Sequence, residues 1–484
     1  MSEVWWPPTE RVKYLGFLSA PDAAWLAVAV AAGVAGILTQ VPIHGGVAAL
    51  LLALWGRGEV AGTRVRTRFA RWVRWRRRTD REWTSPLQGK SGRPVPMLRD
   101  VSLAMVVDNG VPVGVVECRT RSLFGAVTNF TVMLPVSCRS VTFAGDAEQA
   151  ARFAAWGDVL SDQCVERGEH LAAERIAWTD VHRAANPHAL RGDHQRHGQP
   201  GPASDDYLEY VTGFSEVAAD HQVVVSVTVS NAQLGVARSK GGFTGSPADV
   251  MRAAAVSVAR GVRSQLAGRG FEVGELFRPA EIGRLIVEAG DPFEPRRDKL
   301  SSRERFGLPD RTGPESVSVA RREVAIDSAF HRTFQIVWPR TAVDQNWMWR
   351  VLGVEGPKIV TTVYEPVAPS VADRERDGRA NRQRANSVIV ANRRGGEESM
   401  KDQRKRAALR AAEAAVAGGH DELDCWAIVV VSARSTAELN SRSERLREAL
   451  RESGKASVRE LTGLHDVGFR LALPIGAFAG ATRE

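Results

Sequence analysis

Between Ala23 and Gly56 the chain reads AAWLAVAVAAGVAGILTQVPIHGGVAALLLALWG, thirty-four residues without an Asp, Glu, Lys or Arg. As one straight helix, at about 1.5 Å per residue, it would run roughly 50 Å, well past a hydrocarbon core of about 30 Å. A break is written into TQVPIHGG (39–46), where Pro42 removes a backbone donor and Gly45-Gly46 weakens helix propagation. Two apolar segments remain, near 23–41 and 43–60, and the expectation is a two-helix transmembrane hairpin over 18–60. Each segment is slightly short for a span, so Arg57 would snorkel, and Trp25 and Trp55 would lie near an interface. A cleaved signal peptide also begins with basic residues, here Arg11 and Lys13, but no small-x-small site follows and a second apolar segment does. A buried hairpin in a soluble protein is the weaker alternative, because so long an uncharged Ala/Val/Leu/Gly run is unusual there.

The charge of the chain is concentrated directly after that stretch. Arg57, Arg64, Arg66, Arg68, Arg71, Arg74, Arg76, Arg77 and Arg78 are opposed by one carboxylate, Glu59, so residues 57–78 carry +8 of the formal +9. The rest of the chain sums to about +1, which removes the argument from net charge for a nucleic-acid-binding body. The turn between the two apolar segments has no Lys or Arg while both flanks do, so both termini are expected on the cytoplasmic side of the cell membrane. Residues 1–17 would then be a cytoplasmic N-terminus. Residues 61–94 would be a basic juxtamembrane segment on the anionic leaflet, with Phe69, Trp72 and Trp75 dipping into the interface.

From about Met97 the pattern is that of an α/β (α+β) body. Strands are expected at 100–108, 111–119 and 129–138, the first two joined by Asn109-Gly110, a strong hairpin signal. A helix should start at Asp146, with Phe153, Trp156 and Leu160 as core residues. The β-branched run QVVVSVTVS (222–230) precedes a helix announced by Ser246-Pro247 and Asp249, carried by Met251, Ala254, Val258 and Val262, and stopped at Gly268. A further strand, 424–433, is followed by a helix with Ser435 and Glu438 as its capping box, and the chain then returns through ASVRELTG to an expected strand VGFRLALP. The reading is two related α/β lobes, 95–290 and 317–484, joined by the Pro-, Gly- and charge-rich stretch 291–316. The alternating charges of about 370–418 suit a solvated or partner-facing helical hairpin.

Catalytic motifs are missing from this pattern. The nearest string to a phosphate loop holds Gly89-Lys90-Ser91, but the required glycine five residues earlier is Thr84. SKGGFTGSP (239–247) could hold an anion at a helix start, but a tight loop entering a capped helix is the favoured explanation. His182, His188, His194 and His197, beside Asp193, match no metal-ligand spacing and read as a polar loop. No GxSxG occurs, and Asp205, Asp206, Glu209 and Glu216 have no partner legible from sequence. Cys118, Cys138, Cys164 and Cys425 lie far apart, as reduced thiols in a cytosolic fold do. No catalytic residue, cofactor or metal is expected.

The order FHRTFQIVWPR (330–340), KIVTTVYEPVAP (358–369), DCWAIVVVSA (424–433) and LTGLHDVGFRLALPIG (461–476) resembles the part of the type IV secretion conjugation ATPases (CagE- or TrbE-like) that precedes their motor domain. AARFAAWGDVL (150–160) and FRPAEIGRLIVEAGDP (277–292) resemble helices of that family's first lobe, and the N-terminal hairpin resembles the small PrgI- or TrbD-like two-helix subunit fused to the ATPase in some systems. The Arg- and Ala-rich composition suits integrative conjugative elements of actinobacteria. This sequence departs from the family after Gly476, where the motor would begin, and it has no Walker motif. The resemblance therefore implies a non-catalytic inner-membrane scaffold that docks a separate ATPase, with membrane lipids and other inner-membrane subunits as partners in an oligomeric complex. The alternatives are a membrane component of a type VII secretion system and a membrane-tethered DNA-binding protein, nucleic-acid contact being secondary in the favoured reading.

Overall fold

The computed structural model describes residues 96–122, 125–137, 146–166, 169–184, 219–293, 316–337, 349–374, 421–452 and 457–477, with shorter pieces elsewhere. The chain divides into two compact units, one of residues 1–5, 80–374 and 415–483, the other of residues 6–79, 375–414 and 484. In the second unit the described pieces include a ladder between Lys13–Tyr14 and Leu18–Ser19, another between Glu59–Val60 and Thr63–Arg64, and a helical stretch at 376–378. The hairpin expected over 18–60 lies almost wholly outside the described residues. Among the described residues no helix is long and apolar enough to cross a membrane.

The first unit is built on one sheet of thirteen strands, and every pairing in it is antiparallel. In chain order the strands are β1 (Glu82–Thr84), β2 (Val101–Asp108), β3 (Val111–Ser122), β4 (Gly125–Ser137), β5 (Arg175–Ala184), β6 (Ala219–Ser230) and β7 (Glu272–Val273). They continue with β8 (Ser316–Val319), β9 (Val324–Ile326), β10 (Ala329–Val337), β11 (Lys358–Pro366), β12 (Leu423–Ala433) and β13 (Ser457–Glu460). Across the sheet they lie in the order β1-β8-β9-β10-β12-β11-β5-β6-β4-β3-β2, with β7 on β4 and β13 on β10. Local chemistry accounts for much of this. Asn109 and Gly110 take φ of 51° and 79°, the left-handed pair that a two-residue hairpin turn needs, and β2 and β3 pair directly across them. In β6 the valines 223, 225, 227 and 229 fall on one face and are buried.

The helices are α1 (Asp146–Ser161), α2 (Leu234–Ser239), α3 (Pro247–Gly268), α4 (Pro279–Gly290), α5 (Trp349–Leu352), α6 (Thr436–Glu452) and α7 (His465–Ala472). α3 is specified as its sequence suggests: Ser246 Oγ accepts the Asp249 amide, Pro247 opens the first turn, and Met251, Ala254, Val258 and Val262 are buried. α6 starts with Ser435 Oγ accepting the Glu438 amide, while the Glu438 carboxylate accepts from the Arg434 amide.

The element order occurs twice. A three-strand meander (β2-β3-β4, then β8-β9-β10) leads to a helix (α1, α5) and to two strands inserted in the sheet (β5 and β6, then β11 and β12). A long helix follows (α3, α6), then a short strand returning to the third strand of the meander (β7 on β4, β13 on β10), then a last helix (α4, α7). The repeats join edge to edge through β5 and β11, from Ile176↔Tyr364 to His182↔Lys358. Residues 95–290 and 317–484, expected as two related lobes, contribute to one continuous sheet.

Helices cover both faces. α1 and α3 pack with Val113, Val132, Val225 and Trp178 on one side. On the other, a single apolar cluster runs from Val116 and Cys118 on β3 to Val317 and Val324 on β8 and β9, around α4 and α7. Those strands lie towards opposite ends of the sheet order, so the sheet curls around α4 and α7. The ends of these two helices cross to the other repeat. The Gly290 carbonyl at the end of α4 bonds His331 on β10 at 2.8 Å, and the Gly476 carbonyl after α7 accepts from Asn129 Nδ2 on β4 at 3.2 Å. Gly476 has φ of 66° and lies directly against Thr131, where a Cβ would collide with the hydroxyl.

Two sequence expectations are corrected. VGFRLALP falls mainly in α7 rather than in a strand, because Gly468, Phe469, Leu471 and Ala472 are buried while their backbone is satisfied within a helix packed against β10 and β12. Phe153 is 43% exposed, whereas its helical neighbours Trp156 and Leu160 pack inward as expected.

Candidate functional site

A group of ionisable side chains, Asp180, His182 and His221, lies where β5, β6 and β11 meet. Asp180 and His182 are two residues apart on β5, so both point to the α1/α3 side, and His221 stands opposite His182 in the β5–β6 register. The imidazole rings of His182 and His221 are 4.6 Å apart between centroids, inclined at 47°. Asp180 Oδ1 is in hydrogen-bond contact with His221 Nε2 and lies 4.0 Å from His182 Nε2. Trp178 Nε1 donates to the other carboxylate oxygen at 3.4 Å. On the β11 side, Lys358 opposes His182 and donates from Nζ to the Val354 carbonyl at 2.5 Å.

Burial sets the charge states. Desolvation, assisted by the Lys358 ammonium and by His221, pushes the His182 imidazole down to about 3, so the ring is neutral at physiological pH. Desolvation also lowers Lys358 to about 8, with Asp180 acting in the opposite direction. His182 Nε2 is buried without a hydrogen-bond partner. A neutral imidazole next to a carboxylate and a half-exposed second imidazole makes a set of lone pairs suited to a proton or a cation.

Sequence reasoning placed His182 in a loop with His188, His194, His197 and Asp193. The structure places it on β5 instead, and the other four lie outside the described residues. His221 was missed, because it precedes the valine run of β6 and its neighbour across the ladder is not visible from one strand alone.

Among the basic and aromatic residues assigned to the membrane flank, Arg64 ends the two-residue strand Thr63–Arg64 and Arg76 is an exposed residue in helical conformation. Arg57, Arg66, Arg68, Arg71, Arg74, Arg77 and Arg78, with Trp25, Trp55, Trp72 and Trp75, lie outside the described residues, as do Gly89, Lys90 and Ser91. SKGGFTGSP forms the loop into α3, with Gly242 and Gly245 at φ of 66° and 116°. Among the described residues Cys118, Cys164 and Cys425 form no disulfide.

No protein-family model matches the chain, and no curated protein matches it. The reading of its function therefore rests on its own residues.

Proposed function

We propose that the chain is a non-catalytic, membrane-anchored scaffold subunit of a conjugative, type IV-like DNA transfer machine, and that its sheet docks a separately encoded ATPase. The observation that carries this is the outer edge of β2. Among the described residues no strand pairs beyond β2, and Met105 and Val107 on it are 60% and 66% exposed. The equivalent strand of the second repeat, β8, has its outer edge covered by β1, from Glu82↔Ser318 to Thr84↔Ser316. An uncovered edge offers a row of backbone donors and acceptors to an incoming strand. The occupant in this reading is an extended, apolar-faced segment of the ATPase, adding to β2 as β1 adds to β8.

The anchor half rests on the uncharged stretch 23–56 and the arginines behind it. Glu3–Val4 pairs with Val343–Asp344 of the body, so chain on both sides of the apolar stretch belongs to the same unit. That supports an even number of crossings, which a hairpin provides.

Washing membranes with alkaline carbonate is expected to leave the full chain in the pellet and to release a chain lacking residues 18–60. Release of the full chain would overturn the anchor. Affinity capture of the full chain from native membranes is expected to bring down an ATPase of the type IV class, and Met105→Lys with Val107→Lys to lose it. Capture of no ATPase, or capture indifferent to the two lysines, would overturn docking.

A further inference from the structure

We infer that Asp180, His182 and His221 form a binding site for one divalent transition-metal ion of the zinc class, tying β5 to β6. The inference is independent of the proposed scaffold role. One donor atom from each of the three residues lies within 4.8 Å of the other two, and Asp180 Oδ1 faces both His182 Nε2 and His221 Nε2. They are carried by adjacent antiparallel strands whose register is fixed by ten successive residue pairs. A site on such a frame is pre-organised, since neither the spacing of Asp180 and His182 nor the opposition of His182 and His221 depends on a loop.

The second observation is the state of His182. Its side chain is 13% exposed, and its Nε2 has no hydrogen-bond partner. Leaving a buried polar atom unpaired is unfavourable, and a bound cation removes that cost. Trp178 holds the other oxygen of Asp180, which leaves Oδ1 directed at the two imidazoles. This is the arrangement in which a neighbouring donor orients a ligating carboxylate.

The ligand chemistry selects the ion. Two imidazole nitrogens and one carboxylate oxygen suit zinc, cobalt or nickel, whereas magnesium and calcium require mainly oxygen ligands. His221 is 49% exposed, so a fourth position opens to solvent on that side and takes a water. Lys358 is a nearby charge that opposes a cation, and its ammonium is engaged by the Val354 carbonyl.

The test uses the full chain in detergent, without a polyhistidine tag, stripped with chelator and titrated with Co²⁺. The expected result is a visible d–d band of a four-coordinate site that saturates at one equivalent and is displaced by Zn²⁺. His182→Ala should abolish the band. His221→Ala, at a half-exposed position that the fold tolerates, should abolish it or weaken Co²⁺ binding at least tenfold. Unchanged far-ultraviolet circular dichroism of the apo variants verifies folding. A chain that gives no band at one equivalent, or a band of full intensity in either folded variant, overturns the site.

Discussion

Thr179 and Thr361 face each other in the ladder that joins the two repeats, with their hydroxyl oxygens 3.2 Å apart, both buried. Thr361 Oγ1 also reaches the Ala472 carbonyl at the end of α7. Thr361 Oγ1 is placed as donor to both acceptors, and a hydroxyl has a single proton, so the Ala472 carbonyl and the Thr179 oxygen share it. Thr361→Val therefore removes the donor that serves a buried carbonyl and a buried hydroxyl, and should destabilise by about 1–3 kcal/mol. Thr179→Val leaves the carbonyl satisfied and should cost about 1 kcal/mol or less. The double variant is expected to cost less than the sum, because the orphaned Thr179 hydroxyl is gone as well. Urea unfolding of the four proteins measures this directly.

Arg183 on β5 and Glu288 on α4 form a buried ion pair, and Arg183 also donates to Gln222 Oε1 at 3.0 Å. Removing one member strands the other charge in the interior. Glu288→Ala is expected to lose about 3–5 kcal/mol, while Arg183→Met combined with Glu288→Leu should recover most of that. A double variant no more stable than Glu288→Ala would show that the two charges do not depend on each other.

Acid should loosen the seam between the repeats. His331 is fully buried, bonded to the Gly290 carbonyl and the Ser432 hydroxyl at 2.8 Å each, and burial pushes it down to about 4. In the unfolded chain it titrates near about 6.5, so between these values the unfolded state holds the extra proton. The stability associated with the neutral ring is complete above about 6.5 and is lost as pH falls towards 4. From pH 7 to 5 the loss amounts to about 2 kcal/mol for this residue alone. His465, lowered to about 3 by burial and then by Arg332, adds to the effect in the same direction. Unfolding midpoints at pH 7 and 5, with the two compared in His331→Gln, test the assignment: the variant should lose part of the pH dependence.

The arginines from Arg64 to Arg78 answer, in this account, to the membrane. Replacing them all by glutamine should disturb insertion or orientation, read by protease protection of the termini, before it affects any affinity for DNA. Intact topology with lost DNA binding would reverse that order.

Several of these features were legible in the sequence. The valines of β6, the Asn109-Gly110 turn and the Ser246-Pro247 start of α3 each carry their own local signal, and the structure follows them. α7 was misread because a short apolar run fits a buried helix as well as a strand, and only its packing on β10 and β12 decides. The pairing of β5 with β11 joins residues such as Thr179 and Thr361 that are far apart in the chain, and neither strand carries a mark of its neighbour. The same holds for His182 and His221: a metal-ligand set divided between two strands has no spacing motif to find.

A photo-reactive amino acid at Val107, introduced into the full chain in native membranes, reads what lies against β2. A crosslink to an ATPase of the type IV class is expected, absent when the same group is placed at exposed Phe153 on α1. A crosslink only to a second copy of this chain, or none at Val107, would contradict docking at this edge.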